Sequence, residues 1–448
     1  MTTVKAAAVV AIVPLLMAGA LQILRADSFY ASDPGVRGEP AGAGDQVVGL
    51  TDTQRAFFDQ ARIEFEETEE VDEGLGPRFN LDSCVGCHSQ PASGGTSPFV
   101  NPQVAVATAE GATNTVPSFI TLDGPVREAR FKKNANGSAD GGVHSLFVVS
   151  GREDAPGCDV VQEDFEAQVA AHNIIFRIPT PTFGAGLIEL ISDADIDANR
   201  TAHAASKAWF GISGRANHNG NDGTIARFGW KAQNKSLLVF AGEAYNVEMG
   251  ITNDNFQTER DENPNCQFAP APNTVTNTDE ENHPAIISAI EQFGMFMRLL
   301  APPKPSPDTP GGATSIAFGR QTFSEVGCAL CHTPRFTTGD TTIAALANRR
   351  VNLFSDLLVH NMGPGLADEV SQGQARGDEF RSAPLWGLGQ RIFFLHDGRT
   401  TDLIDAIHEH RSEANAQFKA SEANISVNAF DMLSEYSKQN LLNFLRSL

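Results

Sequence analysis

The chain has few basic residues. It carries 33 lysines and arginines against 55 aspartates and glutamates, which gives a formal net charge of -22. A chain of this charge repels phosphate backbones and anionic lipid surfaces, so neither nucleic acid nor an anionic membrane surface is expected as the main partner. The charge favours a basic partner, although acidity of this degree is also explained by solubility alone.

Cysteine is scarce as well, with six residues in a chain of 448. Four of the six fall into two Cys-x-x-Cys-His motifs, Cys84 to His88 and Cys328 to His332. Neither motif has a second Cys-x-x-Cys or a His-x-x-x-His beside it, so a four-ligand zinc site is not indicated. A thioredoxin-like redox pair explains one Cys-x-x-Cys, but not a histidine that follows directly in both copies.

The two motifs predict two covalently bound haems. In such a motif, two thiols three positions apart add to the two vinyl groups of one haem, and the adjacent histidine ligates the iron. The residues concerned are Cys84, Cys87 and His88 for the first haem and Cys328, Cys331 and His332 for the second. Two haems in one chain predict electron transfer between them.

The other two cysteines, Cys158 and Cys266, lie outside any Cys-x-x-Cys motif. In an oxidising compartment, two cysteines left over from the haem motifs predict one disulfide that closes a long loop. The alternative is a pair of reactive thiols.

The N-terminus predicts export. Lys5 precedes an apolar run from Ala6 to Leu24, and Ala18 to Ala20 has the small-x-small pattern of a signal peptidase site. We therefore expect a signal peptide at residues 1–20, followed by a flexible tether at 21–50. An uncleaved anchor in the inner membrane is the alternative, because the run is nearly long enough to span a bilayer. Either way the expected location is periplasmic, which suits c-type haem attachment.

The ordered chain is predicted to begin with a helix. Thr51 and Gln54 form a capping-box pattern, and Phe58 and Phe65 belong to an apolar face at helical spacing. We expect an N-terminal haem domain at residues 51–300 to follow from this start.

The rest of the chain predicts an insertion, a linker and a second domain. The β-prone runs Ser118 to Leu122 and His144 to Val149 indicate an irregular, partly β insertion in the first domain. A stiff Pro-rich linker at residues 301–312 leads to a C-terminal cytochrome c domain at 313–448. The predicted fold class is mainly α, with two cytochrome c-like haem domains.

Three residues of the first domain are candidates for chemistry. Glu189 follows two apolar residues, so partial desolvation makes it a candidate acid or base, whereas the alternative is a solvated glutamate at a helix start. Arg177 is delivered by the same Pro/Gly-rich stretch. Trp230, one of three tryptophans, is a candidate electron relay, although packing is the commoner role.

The second iron has three candidate sixth ligands. On a helix opened by Thr400 or its neighbour, His410 shares the face of the apolar residues, while His408 points away. His410 is therefore the predicted ligand. His360 and Met362 are its rivals, and a lone helical imidazole is otherwise commonly a surface residue.

The chain resembles the di-haem oxidoreductases, a family of peroxidase-like and thiol-oxidoreductase-like proteins related to the bacterial di-haem cytochrome c peroxidases. The resemblance covers most of the chain after about Thr51. It rests on the segments Gly74 to His88, Arg177 to Glu189, Arg227 to Gln233, Gly250 to Asn253, Ser355 to Pro364 and Ala383 to Arg399.

The resemblance implies a peroxidase-type enzyme. An electron would enter at the C-terminal haem, pass near Trp230 and reach an open N-terminal haem that activates peroxide, with Glu189 moving a proton and Arg177 stabilising charge. His410 stands where the peroxidases have a methionine ligand, which implies a bis-histidine second iron through His332 and His410.

The implied partners are a small redox protein or another electron donor and a small-molecule oxidant such as hydrogen peroxide. A membrane is a partner only if the N-terminal segment stays uncleaved. The resemblance leaves open a calcium ion between the haems. Two other functions also remain open: a pure electron-transfer cytochrome, and an oxygenase or thiol-oxidising enzyme on the same scaffold.

Overall fold

The computed structural model describes residues 29–38, 42–261, 263–273, 287–305 and 310–448. The predicted signal peptide or anchor therefore lies outside the described residues. Within the described ranges, no helix is both long enough and apolar enough to cross a membrane.

Helices form the frame of the molecule. Those of the N-terminal half are α1 (Asp52–Glu66), α2 (Cys84–Cys87), α3 (Gln103–Val106), α4 (Phe165–Ala170), α5 (Ala185–Glu189), α6 (Asp193–Thr201), α7 (Ala204–Phe210), α8 (Leu237–Met249) and α9 (Ala289–Leu299). Those of the C-terminal half are α10 (Gly312–Glu325), α11 (Gly363–Leu366), α12 (Leu403–Glu409), α13 (Asn424–Asp431) and α14 (Glu435–Arg446).

The strands are short and form small antiparallel sheets. They are β1 (Arg78–Phe79), β2 (Glu128–Phe131), β3 (Val143–His144), β4 (Phe147–Val148), β5 (Ile174–Arg177), β6 (Asn217–His218), β7 (Ile225–Ala226), β8 (Phe336–Thr337), β9 (Arg350–Val351), β10 (Val359–Asn361) and β11 (Glu379–Arg381). In the one three-stranded sheet of the described chain, β2 lies between β3 and β5.

The chain is mixed rather than mainly α, with about 33% of its residues in helices and 11% in strands. The predicted partly β insertion is present, because the run from His144 to Val149 overlaps β3 and β4. The run from Ser118 to Leu122 forms turns and loop instead of a strand. The two cytochrome c-like domains stay a prediction.

Aromatic contacts hold the helices of each half together. In the first half, α1 packs on α9 through Phe58 and Phe65, whose ring centroids lie 5.4 and 4.6 Å from that of Phe296. In the second half, α10 packs on α14, where the Phe323 and Phe444 rings are 5.5 Å apart. Both contacts bury apolar faces at helical spacing, which is the main force for docking such helices.

The segment predicted to be a tether makes specific contacts wherever it is described. Asp33 lies 2.6 Å from Arg446 of α14, and both side chains are buried. The backbone of Arg37 bonds to Gly389, and that of Val47 bonds to Leu299 at the end of α9. The chain before α1 therefore crosses both halves of the molecule.

The predicted disulfide is confirmed. Cys158 and Cys266 are bonded, with a Cα–Cα distance of 4.6 Å, and join positions 108 residues apart. Both residues are buried. The reactive-thiol alternative is therefore wrong.

Candidate functional site

The first Cys-x-x-Cys-His motif lies at the wall of a large cavity. Ser83 caps α2, because its hydroxyl accepts a hydrogen bond from the backbone N–H of Gly86. A Cβ at Gly86 would lie 2.2 Å from a methyl carbon of Leu81, so a larger residue here would require that leucine to move. Cys84, Cys87 and His88 all line the first cavity, which encloses about 1220 Å³ including its open mouth.

His88 is oriented as an iron ligand should be. Its Nδ1 lies 2.8 Å from the carbonyl oxygen of Gly95, so this nitrogen donates and Nε2 is left free to ligate. Burial lowers the pKa of His88, which favours the neutral ring that a metal requires.

The second motif lies on a second cavity with the same arrangement. A 3₁₀ turn at Cys328–Leu330 presents the motif, and the cavity encloses about 1440 Å³ including its mouth. The Nδ1 of His332 lies 3.1 Å from the carbonyl oxygens of Phe354 and Ala383. Burial and the nearby His410 lower the pKa of His332 to about 4, so the ring is neutral.

His410 lines the second cavity with its Nε2 uncommitted. It stands at the end of α12, and its Nδ1 lies 2.6 Å from the carbonyl oxygen of Ala406. The helix begins later than predicted, because Asp402 rather than Thr400 caps it. His408 points away from the cavity and lies 2.8 Å from Asp431.

His360 has both ring nitrogens engaged. Nδ1 lies 2.9 Å from Glu422 and Nε2 lies 3.0 Å from Asp356, and His360 itself is only 3% exposed. Burial opposes protonation of His360, but the charge and the hydrogen bond of Asp356 help to raise its pKa well above the usual value. A cationic imidazole held this way has no lone pair for iron. Met362 lines the same cavity and remains a rival to His410.

Trp230 lies between the two cavities and lines both of them. The indole is 8% exposed, and its Nε1 donates to the carbonyl oxygen of Ile178 at 2.8 Å. On one side the His396 ring meets it edge-on at 6.4 Å, and Arg391 lies 5.7 Å from its centroid. An aromatic ring in this position suits electron transfer between the cavities, and it also packs the interface.

The structure does not bring Arg177 and Glu189 together. Arg177 lines the first cavity, but its guanidinium is bound to Asp368 at 2.6 Å. Glu189 lies outside the described lining of both cavities and pairs with Arg298 of α9 at 2.7 Å. Its other oxygen accepts from the backbone N–H of Leu237, so Glu189 holds α5, α8 and α9 together.

A carboxyl pair that the sequence did not reveal lines the first cavity. Glu128 of β2 and Glu248 of α8 are hydrogen-bonded to each other. Arg130 binds Glu128 at 2.6 Å, and Asn80 donates to Glu248 at 2.7 Å. No sequence spacing links the two glutamates, because they come from a strand and a helix far apart in the chain. The one feature of the sequence that could have indicated the site is the charged Glu128 in a partly apolar strand.

The two carboxyls of the pair differ in how readily they keep a proton. Burial and the charge of Glu128 raise the pKa of Glu248 well above its usual value. Burial alone would raise the pKa of Glu128 too, but Arg130 and the hydrogen bond from Glu248 lower it. Glu248 is therefore the better candidate for a proton donor, and Glu128 the better candidate for a proton acceptor.

Both cavities fit a haem. Each cavity has two thiols, a neutral imidazole and mostly apolar walls. The thiols can attach the edge of a haem, the imidazole can ligate its iron, and the apolar walls suit the macrocycle. Arg127 lines the first cavity, and its buried Nε has no hydrogen-bond partner among the described residues, so an anionic group of a ligand would satisfy it. In the described ranges, no group of three or more His, Cys, Asp and Glu residues is arranged to hold a metal ion. Calcium stays a prediction.

The family model described as "Di-haem oxidoreductase, putative peroxidase" matches residues 129–448. The chain belongs to the di-haem oxidoreductase family. This confirms the resemblance and the expectation of an enzyme, and membership implies two haems. The match begins after Cys84 to His88, so covalent attachment at the first motif rests on that motif and its cavity. No curated protein was found to match this di-haem oxidoreductase.

Three solved structures show distant likeness to this di-haem oxidoreductase. Hydrazine synthase of Kuenenia stuttgartiensis is 18% identical, with 37% of this chain and 56% of that chain covered and a TM-score of 0.24. A MauG-like protein associated with microbial copper homeostasis is 18% identical, with 60% and 90% covered and a TM-score of 0.29. The diheme peroxidase BthA of Burkholderia thailandensis E264 is 12% identical, with 94% of each chain covered and a TM-score of 0.40. All three scores are too low to establish a shared fold.

Proposed function

We propose that this di-haem oxidoreductase is an exported c-type cytochrome that reduces hydrogen peroxide in the periplasm. The observation that carries the proposal is the hydrogen-bonded pair Glu128 and Glu248 at the first cavity. Haem attached in each cavity would supply one-electron redox chemistry and, in the first, an iron at which a peroxide O–O bond can break.

The carboxyl pair supplies the proton chemistry. Reduction of one hydrogen peroxide to two waters consumes two electrons and two protons, so the first cavity needs a proton donor and an acceptor. Glu128, ionised beside Arg130, can take the proton from the near oxygen, and Glu248 can give its proton to the departing oxygen. Arg130 then stabilises the negative charge that develops between the two steps.

Trp230 supports an electron route from the second cavity to the first. A small redox protein or another donor would deliver electrons at the second cavity, where His332 and His410 would hold the iron of the second haem and the haem would supply electron storage. Among the described residues, Trp230 is the aromatic side chain that lines both cavities.

The test replaces single carboxylates in the holoprotein and measures peroxide turnover. Glu248→Gln keeps the volume of the side chain but removes its acid function, so we expect a loss of about 10²- to 10⁴-fold. Glu128→Gln should cost a similar factor, because it removes the proton acceptor of the same reaction. Glu166→Gln is the matched control, since Glu166 is an exposed glutamate that bonds to Ser118.

Glu189→Gln separates this assignment from the one made on sequence. If Glu189→Gln lost turnover while Glu248→Gln retained it, Glu189 would be the acid–base group, and the carboxyl pair would be structural. Both variants should still contain two haems per chain by the pyridine haemochrome assay, which excludes loss of cofactor as the cause.

A further inference from the structure

Two buried arginines in the second cavity have no acidic partner. Arg381 ends β11 and is 9% exposed, and Arg391 is 8% exposed. The Nε of Arg381 donates to the carbonyl oxygen of Gly229 at 2.9 Å, and that of Arg391 donates to Phe393 at 2.9 Å. Nη2 of Arg391 has no hydrogen-bond partner among the described residues. Neither guanidinium forms an ion pair with a described aspartate or glutamate.

Most other buried arginines of the described chain differ from these two in having an acidic partner. The pairs are Arg130 with Glu128, Arg152 with Asp154, Arg177 with Asp368, Arg227 with Asp193, and Arg446 with Asp33. A buried charge without a partner loses its hydration and gains nothing in return. Two cations without acidic partners in one cavity therefore indicate an anionic ligand.

The two cations also lie near enough to act on each other, because the charge of Arg391 lowers the pKa of Arg381. The pKa of each is lowered to about 10, by burial alone for Arg391 and by burial together with the charge of Arg391 for Arg381. Both remain charged at neutral pH, so they repel each other until an anion lies between them. The ligand must therefore bring negative charge to both, as a group with two neighbouring carboxylates does.

We propose that Arg381 and Arg391 bind the two propionate carboxylates of the haem in the second cavity. The inference rests on haem attachment at Cys328 and Cys331, which is part of the proposed function. Both arginines line the cavity that holds this motif, and the remaining walls are mostly apolar. A haem has an apolar macrocycle and two carboxylates on one edge, and the planar guanidinium matches a carboxylate with two parallel hydrogen bonds.

The position of the arginines also bears on the reduction potential of the second haem. Both also line the small space between the two haem cavities, together with Trp230. Propionates bound by these arginines would lie near Trp230, the candidate electron relay. Cations beside the propionates offset the negative charge that favours oxidised iron, so they raise the reduction potential of the second haem.

The test measures the second haem directly in the holoprotein. We expect Arg391→Leu and Arg381→Leu each to lower its reduction potential in spectroelectrochemistry and to shift the propionate bending bands in its resonance Raman spectrum. Arg391→Lys keeps the charge and should retain most of the potential. Arg37→Leu is the control, because it removes another buried guanidinium of 8% exposure that bonds to Ser447 outside the described cavity lining.

The proposal is overturned if Arg391→Leu and Arg381→Leu retain both haems and leave the potential and the propionate bands unchanged. A haemochrome value below two haems per wild-type chain overturns it as well. If one leucine variant fails to fold, the other and Arg391→Lys decide the question. Neither readout uses peroxide, so absence of peroxidase turnover would refute the proposed reaction and leave this result standing.

Discussion

At the residue scale, the second cavity shows how hydrogen bonds select a ligand among similar side chains. His360 and His410 lie in the same cavity, but His360 gives both nitrogens to carboxylates, whereas His410 gives only Nδ1 to its own helix. The helical periodicity of the α12 segment predicts that His410 lies on the side that faces the cavity. The state of His360 depends on Glu422, which no local pattern links to it.

His410→Gly should open the second iron to small ligands. We expect the optical and EPR spectra to change from low-spin to high-spin and to respond to added imidazole, because the variant removes the free Nε2 and leaves space. Met362→Leu is the matched variant at the rival ligand and should leave the spectra unchanged. The opposite pattern, an unaffected His410→Gly and an altered Met362→Leu, would assign the iron to Met362.

His144 should make stability depend on pH. Its ring lies 2.9 Å from both Glu163 and Asp140 and stacks on Phe131 at 3.7 Å. Burial alone would lower the pKa of His144, but the hydrogen bonds and charges of Glu163 and Asp140 raise it above 6.5. The native state therefore binds the proton more tightly, and the stabilisation is complete below pH 6.5 and lost as the pH rises through the raised pKa.

Urea unfolding of the wild type and of His144→Gln at a series of pH values tests this. We expect the variant to lose roughly 1–3 kcal/mol at pH 6, which is typical of hydrogen bonds to charged groups, and the two proteins to converge as the pH rises. A difference that stayed constant or grew with pH would show that His144 acts as a neutral packing residue.

Residue roles were harder to predict than ligand positions. The two Cys-x-x-Cys-His motifs carry their chemistry in adjacent residues, so sequence alone indicates both haem sites. Glu189 resembled a desolvated acid because apolar residues precede it, yet Arg298 comes from a helix far along the chain and pairs with it. Glu128 and Glu248 meet only after β2 and α8 have packed, so local patterns could not indicate them.

At the element scale, the long helices follow from their ends and their apolar faces. The capping box at Thr51 and the aromatic spacing after it predict α1, and both are present. Strands of two to four residues depend on their neighbours, which is why Ser118 to Leu122 has strand propensity and yet forms a loop.

The contact between α10 and α14 depends on one glycine. A Cβ at Gly319 would lie 1.9 Å from the backbone carbonyl oxygen of Asn440, so the two helices approach too closely for any side chain there. Gly319→Ala gains helix propensity, but overpacking against a backbone atom should dominate and lower the free energy of unfolding by about 1–3 kcal/mol.

Gly294→Ala in α9 is the matched control for that helix contact. Its Cβ would lie 3.5 Å from Leu238, an ordinary contact distance, so chemical denaturation should show no loss of stability and even a small gain. Equal stability of Gly319→Ala and the wild type would mean that α10 and α14 can separate without cost.

At the scale of the whole molecule, one interface connects the two cavities. Each cavity has its own motif, and Trp230, Arg381 and Arg391 lie between them. The sequence predicted the two motifs and the family, and the relay role of Trp230 stays a prediction. It did not predict that the segment before α1 would bind across both halves, because its Gly- and Pro-rich composition carries no periodicity, and its anchor Arg446 lies at the other end of the chain.

The most direct test of the central claim is the reaction of the one-electron-reduced holoprotein with hydrogen peroxide, followed by rapid-mixing absorbance and EPR. We expect one high-spin, five-coordinate haem and one low-spin haem before mixing, and rapid consumption of peroxide after it. If both haems are low-spin in every redox state and the peroxide remains unreacted, the protein is an electron carrier and the proposed peroxidase function is wrong.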